Sequence, residues 1–471
     1  MERKEVELMK INSTIVGILM LLFVFVNSGA ANTAGTQSVT GGSIELWKAM
    51  EMAENNNPGL KSSHIETEKS DLDVKIAAGM KSPKVDLWGN TSFSDQPSMV
   101  IPIREIGSLP PLDRNITRFG VDLNIPLYTG GKLEAEKVSA QKTAAATSEG
   151  YKQLRQDLLY NVVSVFSRSL YFKDLKEASI KRIRALEDEE RSLSLLLREG
   201  RIAKLDLLRL QSHLSQAKHD HIVLDQTERD ALSRLGTLTG SSSPFEGVTK
   251  IPLDVELGAL NEIEKTNVLE NSHAVKKSSL LSEAYFAKSK AIAGETRPQL
   301  SLFGRGMGSI GSDTKLYDDW QTGLMVTIKL LDGSVSKNKI KKSLLDVEKT
   351  KLDLDQIQNQ TLNEARDASG AVREAGSKAL TAKKQSEEAK EALRIEKIRY
   401  DSGESTITDL LSAESELWTA AANTSRAYYE KIAFEANVLR ILGKLSPDRL
   451  RFGTKENFND KKMPAKVEVV K

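Results

Sequence analysis

Two kinds of apolar spacing take turns along this chain, and they do so twice. From Ser43 to Ala78 apolar residues recur at helical intervals: Ser43 is available as a cap, and Ile44, Trp47 and Met50 open a stripe. Asn55-Asn56-Asn57-Pro58-Gly59 interrupts the stripe, and Leu60–Ala78 resumes it. Past Pro83 the period falls to two. Val85, Leu87, Gly89, Thr91 and Phe93 alternate with Lys84, Asp86, Trp88, Asn90 and Ser92; then Phe119, Val121, Leu123, Ile125 and Leu127 alternate with Gly120, Asp122, Asn124 and Pro126. That spacing predicts two strands, about 83–93 and 118–128, each with one apolar face. Leu300, Leu302 and Gly304 after Pro298, and Leu324, Val326, Ile328 and Leu330 further on, predict a second pair at about 298–308 and 320–331. The connections around Ser94–Asn115 and Ser309–Asp318 read as variable tips.

After each strand pair comes a turn, Leu127-Tyr128-Thr129-Gly130-Gly131 or Leu330-Leu331-Asp332-Gly333-Ser334, and then a proline-free stretch of seventy residues, 130–199 and 333–402. Leu154, Leu158, Val162 and Val165 fall on one helical face in the first; Ala365, Ala368, Val372, Ala375, Ala379 and Ala382 do so in the second. Each would be a helix of roughly 100 Å. Helices this long need neighbours along their length, and small residues let those neighbours approach closely. Glycine turns follow, and return helices are predicted over 202–238 and 405–442. Between the halves, 241–258 reads as a linker and Leu260–Ala293 as a helix that mirrors Ser43–Ala78. The polar residues 446–471 read as a peripheral tail.

The glycine turns show that the halves are copies. Gly200–Ala217 and Gly403–Ala420 align without a gap at a shift of 203, with seven of eighteen residues identical, among them Gly200/Gly403, Asp206/Asp409, Leu207/Leu410 and Leu208/Leu411. About one match would be expected at ordinary residue frequencies. The repeat therefore divides the chain into units at 43–240 and 259–445.

Composition narrows the chemistry. The chain has 471 residues, a net charge of +2, 5% aromatic residues and no cysteine. The balanced charge carries no nucleic-acid footprint. Without cysteine there are no disulfides, thiol nucleophiles, Cys–zinc sites or lipidated N-terminal Cys. The apolar run Ile15–Val26, preceded by Arg3, Lys4 and Lys10 and followed by Ser28-Gly29-Ala30, reads as a cleaved signal peptide over residues 1–30. His64, His213, His219, His221 and His273 are scattered, and His219 and His221 do not share a helix face, so no metal site is expected. Gly304-x-Gly306-x-Gly308 lies in a strand pattern with no helix after it, so it reads as a barrel-tip feature and not a phosphate loop. No Ser, His and Asp are placed together by any motif; no cofactor and no catalysis are expected.

Four strands with one apolar face cannot stand alone. If that face meets lipid, the sheet must close, because unpaired edges are not tolerated in a bilayer. Membrane barrels need about eight or more strands, so several chains must contribute, and three would give twelve. The chain resembles the TolC-like outer-membrane efflux family. The resemblance is carried by Asn57-Pro58-Gly59-Leu60, by Ile125–Gly131, by the Tyr400–Leu411 run (Y-x-x-G-x-x-T-x-x-D-L-L) and by the duplication itself. It implies a mainly α fold with a small membrane β part. Three chains form a twelve-stranded barrel in outer-membrane lipid, continued by a long α-barrel through the periplasm. It also implies a homotrimeric exit duct served by a periplasmic adaptor protein and an inner-membrane transporter, in efflux or type I secretion. On the family pattern the adaptor docks at Gly200-Arg201-Ile202-Ala203 and Gly403-Glu404-Ser405-Thr406, and Asp206 and Asp409 line the closed entrance. A second acidic position is Ser412 here. An arginine that latches the entrance in some members falls at Ser405, while Tyr400 matches its tyrosine partner. The competing reading of the two aspartates is stabilisation of the positive helix ends. For the whole chain the alternatives are an exported coiled-coil rod or adhesin, a periplasmic adaptor and, more distantly, an exported enzyme.

Overall fold

The computed structural model describes residues 42–241, 245–252, 257–265 and 267–451. The expected signal peptide, most of the polar tail and parts of the 241–258 linker lie outside these residues. In chain order the elements are β1 (Ser43–Ile44), α1 (Leu46–Asn56), α2 (Pro58–Gly79), β2 (Lys84–Met99), β3 (Leu112–Tyr128), α3 (Lys132–Arg198) and α4 (Lys204–Thr239). Then follow β4 (Gly247–Val248), α5 (Ala259–Lys265), α6 (Val268–Asn271), α7 (His273–Gly294), β5 (Gln299–Ile310), β6 (Leu316–Thr327), α8 (Val335–Asp401), α9 (Ile407–Ile441) and a 3₁₀ turn at Pro447–Leu450. The two long helices, α3 and α8, are 67 residues each.

β2, β3, β5 and β6 form one antiparallel sheet in that order, with β2 and β6 at its open edges. The register sorts side chains cleanly. Val85, Leu87, Phe119, Val121, Leu123, Leu302, Trp320, Leu324 and Val326 share one face, and Trp88, Asp122, Arg118, Arg305 and Gln321 share the other. The apolar face is bare: Leu87 is 78% exposed and Trp320 76%. The helices that adjoin the strands all meet the sheet at one end, and the 100–111 and 311–315 loops lie at the other.

Below the sheet, α7 lies between α3 and α8; further down, α9 takes that place, and α2 and α4 cover the other side of α3. The main core is a belt where the shorter helices end. Leu159, Val162, Val163, Phe166 and Leu170 of α3 meet Met50 and Ala53 of α1, Leu235 of α4, Val248 of β4 and Ile432, Ala436 and Leu439 of α9.

Several expectations are corrected. Ser43 does not cap a helix: Ser43 and Ile44 pair in parallel with Gly247 and Val248, and Glu45 is the N-cap of α1. β2 runs on to Met99 through a register irregularity between Phe93 and Ser98. β6 ends at Thr327, the partner of Gln299, so Ile328 and Leu330 continue the alternation with no strand to pair against. The helix expected over Leu260–Ala293 is three helices, with Asn267 and Ser272 as N-caps of the second and third. Leu154 turns away from the face of Leu158 and Val162 and is 41% exposed. Gly304, Gly306 and Gly308 are not at a tip but inside the β5 ladder, opposite Leu123, Val121 and Phe119.

The motifs have local physical roles. The Asn57 side chain accepts from Leu60 N–H at 3.1 Å, with Pro58 in the first helical turn, and it donates to Leu238 C=O at 2.9 Å, tying α2 to the end of α4. In the strand-to-helix turn Gly130 has φ +66°, and a Cβ there would stand 2.5 Å from the carbonyl oxygen of Gly294. Both the angle and the close approach require glycine.

Candidate functional site

The two hairpin tips are built alike up to the glycine and differently after it. At the end of α3, Gly200 N–H donates to Leu197 C=O at 3.0 Å and Arg201 N–H to Leu196 C=O at 2.9 Å. At the end of α8, Gly403 N–H donates to Tyr400 C=O at 3.0 Å and Glu404 N–H to Arg399 C=O at 2.8 Å. This is the pairing by which a left-handed residue closes a helix. Gly200 has φ +74° and Gly403 φ +77°, and a Cβ at either would meet nothing within 4 Å. The angle, not crowding, selects glycine.

The return helices then diverge. Thr406 is the N-cap of α9: its Oγ1 accepts from Asp409 N–H at 3.3 Å, and the Asp409 carboxylate accepts from Thr406 N–H at 3.1 Å and from its hydroxyl at 2.7 Å. These hydrogen bonds hold the Asp409 carboxyl below its ordinary pKa. In α4 the N-cap is Ala203, which has no side-chain acceptor, so Asp206 sits in an uncapped first turn. Both aspartates are thus at the positive ends of their helices, and only Asp409 is bound into a cap. Asp409 and Ser412 are exposed, while Asp206 and Ile202 are half-buried. Ser405, at the place of the latch arginine, hydrogen-bonds the Glu396 carboxylate within its own hairpin. Tyr400 is half-buried among the tip apolar residues; burial, then the charges of Glu189, Asp206 and Asp401, push its phenol up to about 12. Tyr400 and Asp206 are thereby neighbours, from opposite hairpins.

The hairpins are joined by a second core and by polar ties. Ile407, Leu410 and Leu411 pack with Leu186 and Leu193 of α3 and Leu210 and Leu214 of α4. Above them Arg182 of α3 forks onto Glu414 of α9 at 2.7 and 2.9 Å, with Asp220 of α4 3.8 Å away and the Trp418 ring centroid at 5.3 Å. Arg209 of α4 donates to Thr408 Oγ1 at 2.8 Å. Sequence reasoning missed these ties. Arg182 left one trace, since it falls on the same helical face as Leu186 and Leu193 and so puts a charge in an apolar stripe. Glu414 and Arg209 left none.

Among the described residues, no three His, Asp or Glu are placed to hold a metal ion. Two histidines serve as ties between helices: His221 with Ser179 at 2.8 Å and His273 with Glu149 at 2.7 Å. No helix among the described residues is long and apolar enough to cross a membrane.

The model of the outer membrane efflux protein family matches residues 49–241 and 266–444, both halves of the repeat. The chain belongs to that family. It is an outer-membrane efflux channel, in a family of ducts and not of enzymes. Solved structures of low identity share its fold. VceC of Vibrio cholerae superimposes with a TM-score of 0.73 at 14% identity, over 84% of this chain and 96% of that one. For the CmeC outer membrane channel of Campylobacter jejuni the values are 0.73 and 16%, over 90% and 94%. For the open state of the MtrE channel of Neisseria gonorrhoeae they are 0.72 and 17%, over 90% and 97%. No curated protein matches the chain in sequence.

Proposed function

We propose that three copies of this chain form one pipe, which takes cargo from an adaptor and an inner-membrane transporter at its periplasmic tips and releases it outside the cell, with no catalysis. One observation carries this reading: the sheet has four strands, two open edges and a largely exposed apolar face. In a bilayer both edges need partners. Joining β6 of one copy to β2 of the next satisfies them. Two copies would close about eight strands, a ring whose interior side chains fill it. Three give twelve, the smallest ring in that series with room for a conducting lumen. The polar face of Trp88, Arg118, Asp122 and Arg305 then lines that lumen.

The duplication supports the same number. Each chain supplies two hairpins, so three chains supply six, and the tip residues fall into rings. Asp206 and Asp409 ring the entrance, with Tyr400 behind Asp206 and Ser412 one turn above Asp409. The segments Gly200-Arg201-Ile202-Ala203 and Gly403-Glu404-Ser405-Thr406, exposed but for the half-buried Ile202 and Ser405, are the docking tips. A closed entrance opens when the α8–α9 hairpin swings away from α3 and α4, as packed elements do in rigid-body switches.

The test is stoichiometry with conduction. Purified from outer membranes in detergent, the protein should have the mass of three 51.9 kDa chains, less any cleaved leader, and should conduct in planar bilayers. A monomer that stays water-soluble without detergent would sink the reading.

A further inference from the structure

The connection between β2 and β3 is not a free tip. Val100 is 2% exposed, Ile101 6% and Ile116 1%, and together with Tyr317 they form a small core of their own. Ile116 pairs across from Ser92 and Tyr317 from Ser309, which puts both on the polar face of the sheet. The connection therefore folds onto the lumen side. It also crosses the sheet: it leaves from β2, one edge, and Arg104 reaches the backbone carbonyl of Asp318 on β6, the other edge, and from there its carboxylate, which the pairing of Asp318 with Gly308 places on the apolar side of that edge. Its base is fixed as well. Asp113 accepts from the Ser312 hydroxyl at 2.8 Å and from Ser312 N–H, and Val100 N–H donates to Pro111 C=O at 2.9 Å. Pro102, Pro110 and Pro111 restrict its backbone. Among the side chains it leaves exposed, three are large and apolar, Ile103 at 60%, Ile106 at 107% and Leu109 at 86%, beside the exposed Arg104, Glu105 and Ser108.

We infer that residues 100–111 are a strap drawn across the outer mouth of the lumen, latched by Arg104 on Asp318, and that three such straps form an external constriction that sets the size of what can leave. This rests on the trimeric-barrel reading above. It adds a second narrow point at the opposite end from the helical tips. Small ions and reagents pass between the straps, whereas a bulky cargo must displace the strap from its Val100–Ile101–Ile116 seat.

The absence of cysteine gives a clean test. Gln321 is exposed on the polar face, four residues below Tyr317, roughly 13 Å deeper at strand rise. Gln321→Cys is introduced into the full chain, and intact cells are treated with a small charged maleimide and with a maleimide on a bulky polymer. Asp313→Cys in the outer loop reports general access, and Leu324→Cys on the apolar face reports lipid. With the strap intact, the bulky reagent labels the thiol at position 321 much more slowly than the one at position 313. Arg104→Ala removes a charge-assisted tie and should speed bulky labelling at position 321 on the order of tenfold, as should replacing 101–110 by a short Gly-Ser link, with labelling at position 313 unchanged. Equal bulky labelling at position 321 with and without the strap overturns the constriction and leaves the barrel standing. Small-reagent labelling at position 324 as fast as at position 321 overturns the barrel reading, and the strap with it.

Discussion

Glu414→Gln should unlatch the periplasmic tips. The Arg182 side chain is 9% exposed and Glu414 18%, and the fork between them joins α3 to α9, elements that part if the second hairpin swings out. Removing one partner of a buried pair costs about 3–5 kcal/mol, because the other charge stays behind without its counter-ion. Here part is recovered, since Arg182 keeps Asp220 at 3.8 Å and the Trp418 ring at 5.3 Å, worth roughly 1–2 kcal/mol together. The net loss to the closed arrangement is then about 1–4 kcal/mol, on the order of 5- to 900-fold in the closed-to-open ratio. Single-channel recording of purified protein in planar bilayers reads this directly as a larger fraction of time in a high-conductance state. Arg182→Met with Glu414→Leu should return the channel towards closed, because an apolar replacement of the whole pair leaves no orphan charge. An intact Glu414→Gln channel with wild-type conductance and open fraction would refute the assignment of this pair as a tie that opening breaks.

Other perturbations test the remaining structure. Asp409→Ala should weaken block of the channel by multivalent cations. Its folded pKa is depressed, so the cap it makes is fully present above the ordinary value of 3.8 and is lost only as pH falls through the lower folded one. Block in the wild type should therefore hold steady from neutral pH down to about 5; fading above that pH would remove Asp409 from the aperture. Gly200→Ala and Gly403→Ala each force a left-handed angle on a residue with a Cβ, at roughly 1–2 kcal/mol, and should raise proteolytic cutting at the tips while barely moving trimer melting. Gly130→Ala adds a contact at 2.5 Å to Gly294 and should lower trimer melting itself. Leu87→Lys, on the bare apolar face, should cost ~2–4 kcal/mol at mid-membrane and cut assembled trimer in outer-membrane fractions, whereas Asn90→Lys on the polar face should not.

The repeating architecture was legible because each of its parts writes a period. Leu87, Val121, Leu302 and Leu324 alternate because one face of every strand is bare to lipid, and Ala365, Ala368 and Val372 recur because α8 must sit close to its neighbours. Features without a period were not legible. A two-residue strand such as Ser43–Ile44 has none, and its partner is about two hundred residues away. The polar run Ser94-Asp95-Gln96-Pro97 reads as loop, yet the strand continues through it by slipping register. Ile328 and Leu330 kept the right period in the wrong place, because a strand ends where its partner ends. At the tips the glycines and aspartates stood out by duplication, but Arg182 and Glu414 lie 232 residues apart and meet only once the hairpins pack.

What the single chain leaves uncovered argues for the assembly more strongly than any one motif. α3 has neighbours on both sides: α2 and α7 near the sheet, α4 and α9 near the tips. α8, of equal length, packs chiefly on α7 and α9, on one side only, and carries Leu344, Leu345, Leu352, Leu380, Ile395 and Ile398 exposed at 46–73%. A helix of 67 residues is not held by propensity. At ~25 cal/mol per Å², covering those side chains against another copy stabilises α8 all along its length. The same boundary that leaves α8 bare also leaves β6 unpaired, and β6 leads directly into α8. One neighbouring subunit, offering β2 to β6 and α2 and α4 to α8, covers both at once. The hairpin that moves to open the tips is then the one at the subunit boundary, held to its own chain by α7, the apolar tip core and the Arg182–Glu414 and Arg209–Thr408 ties.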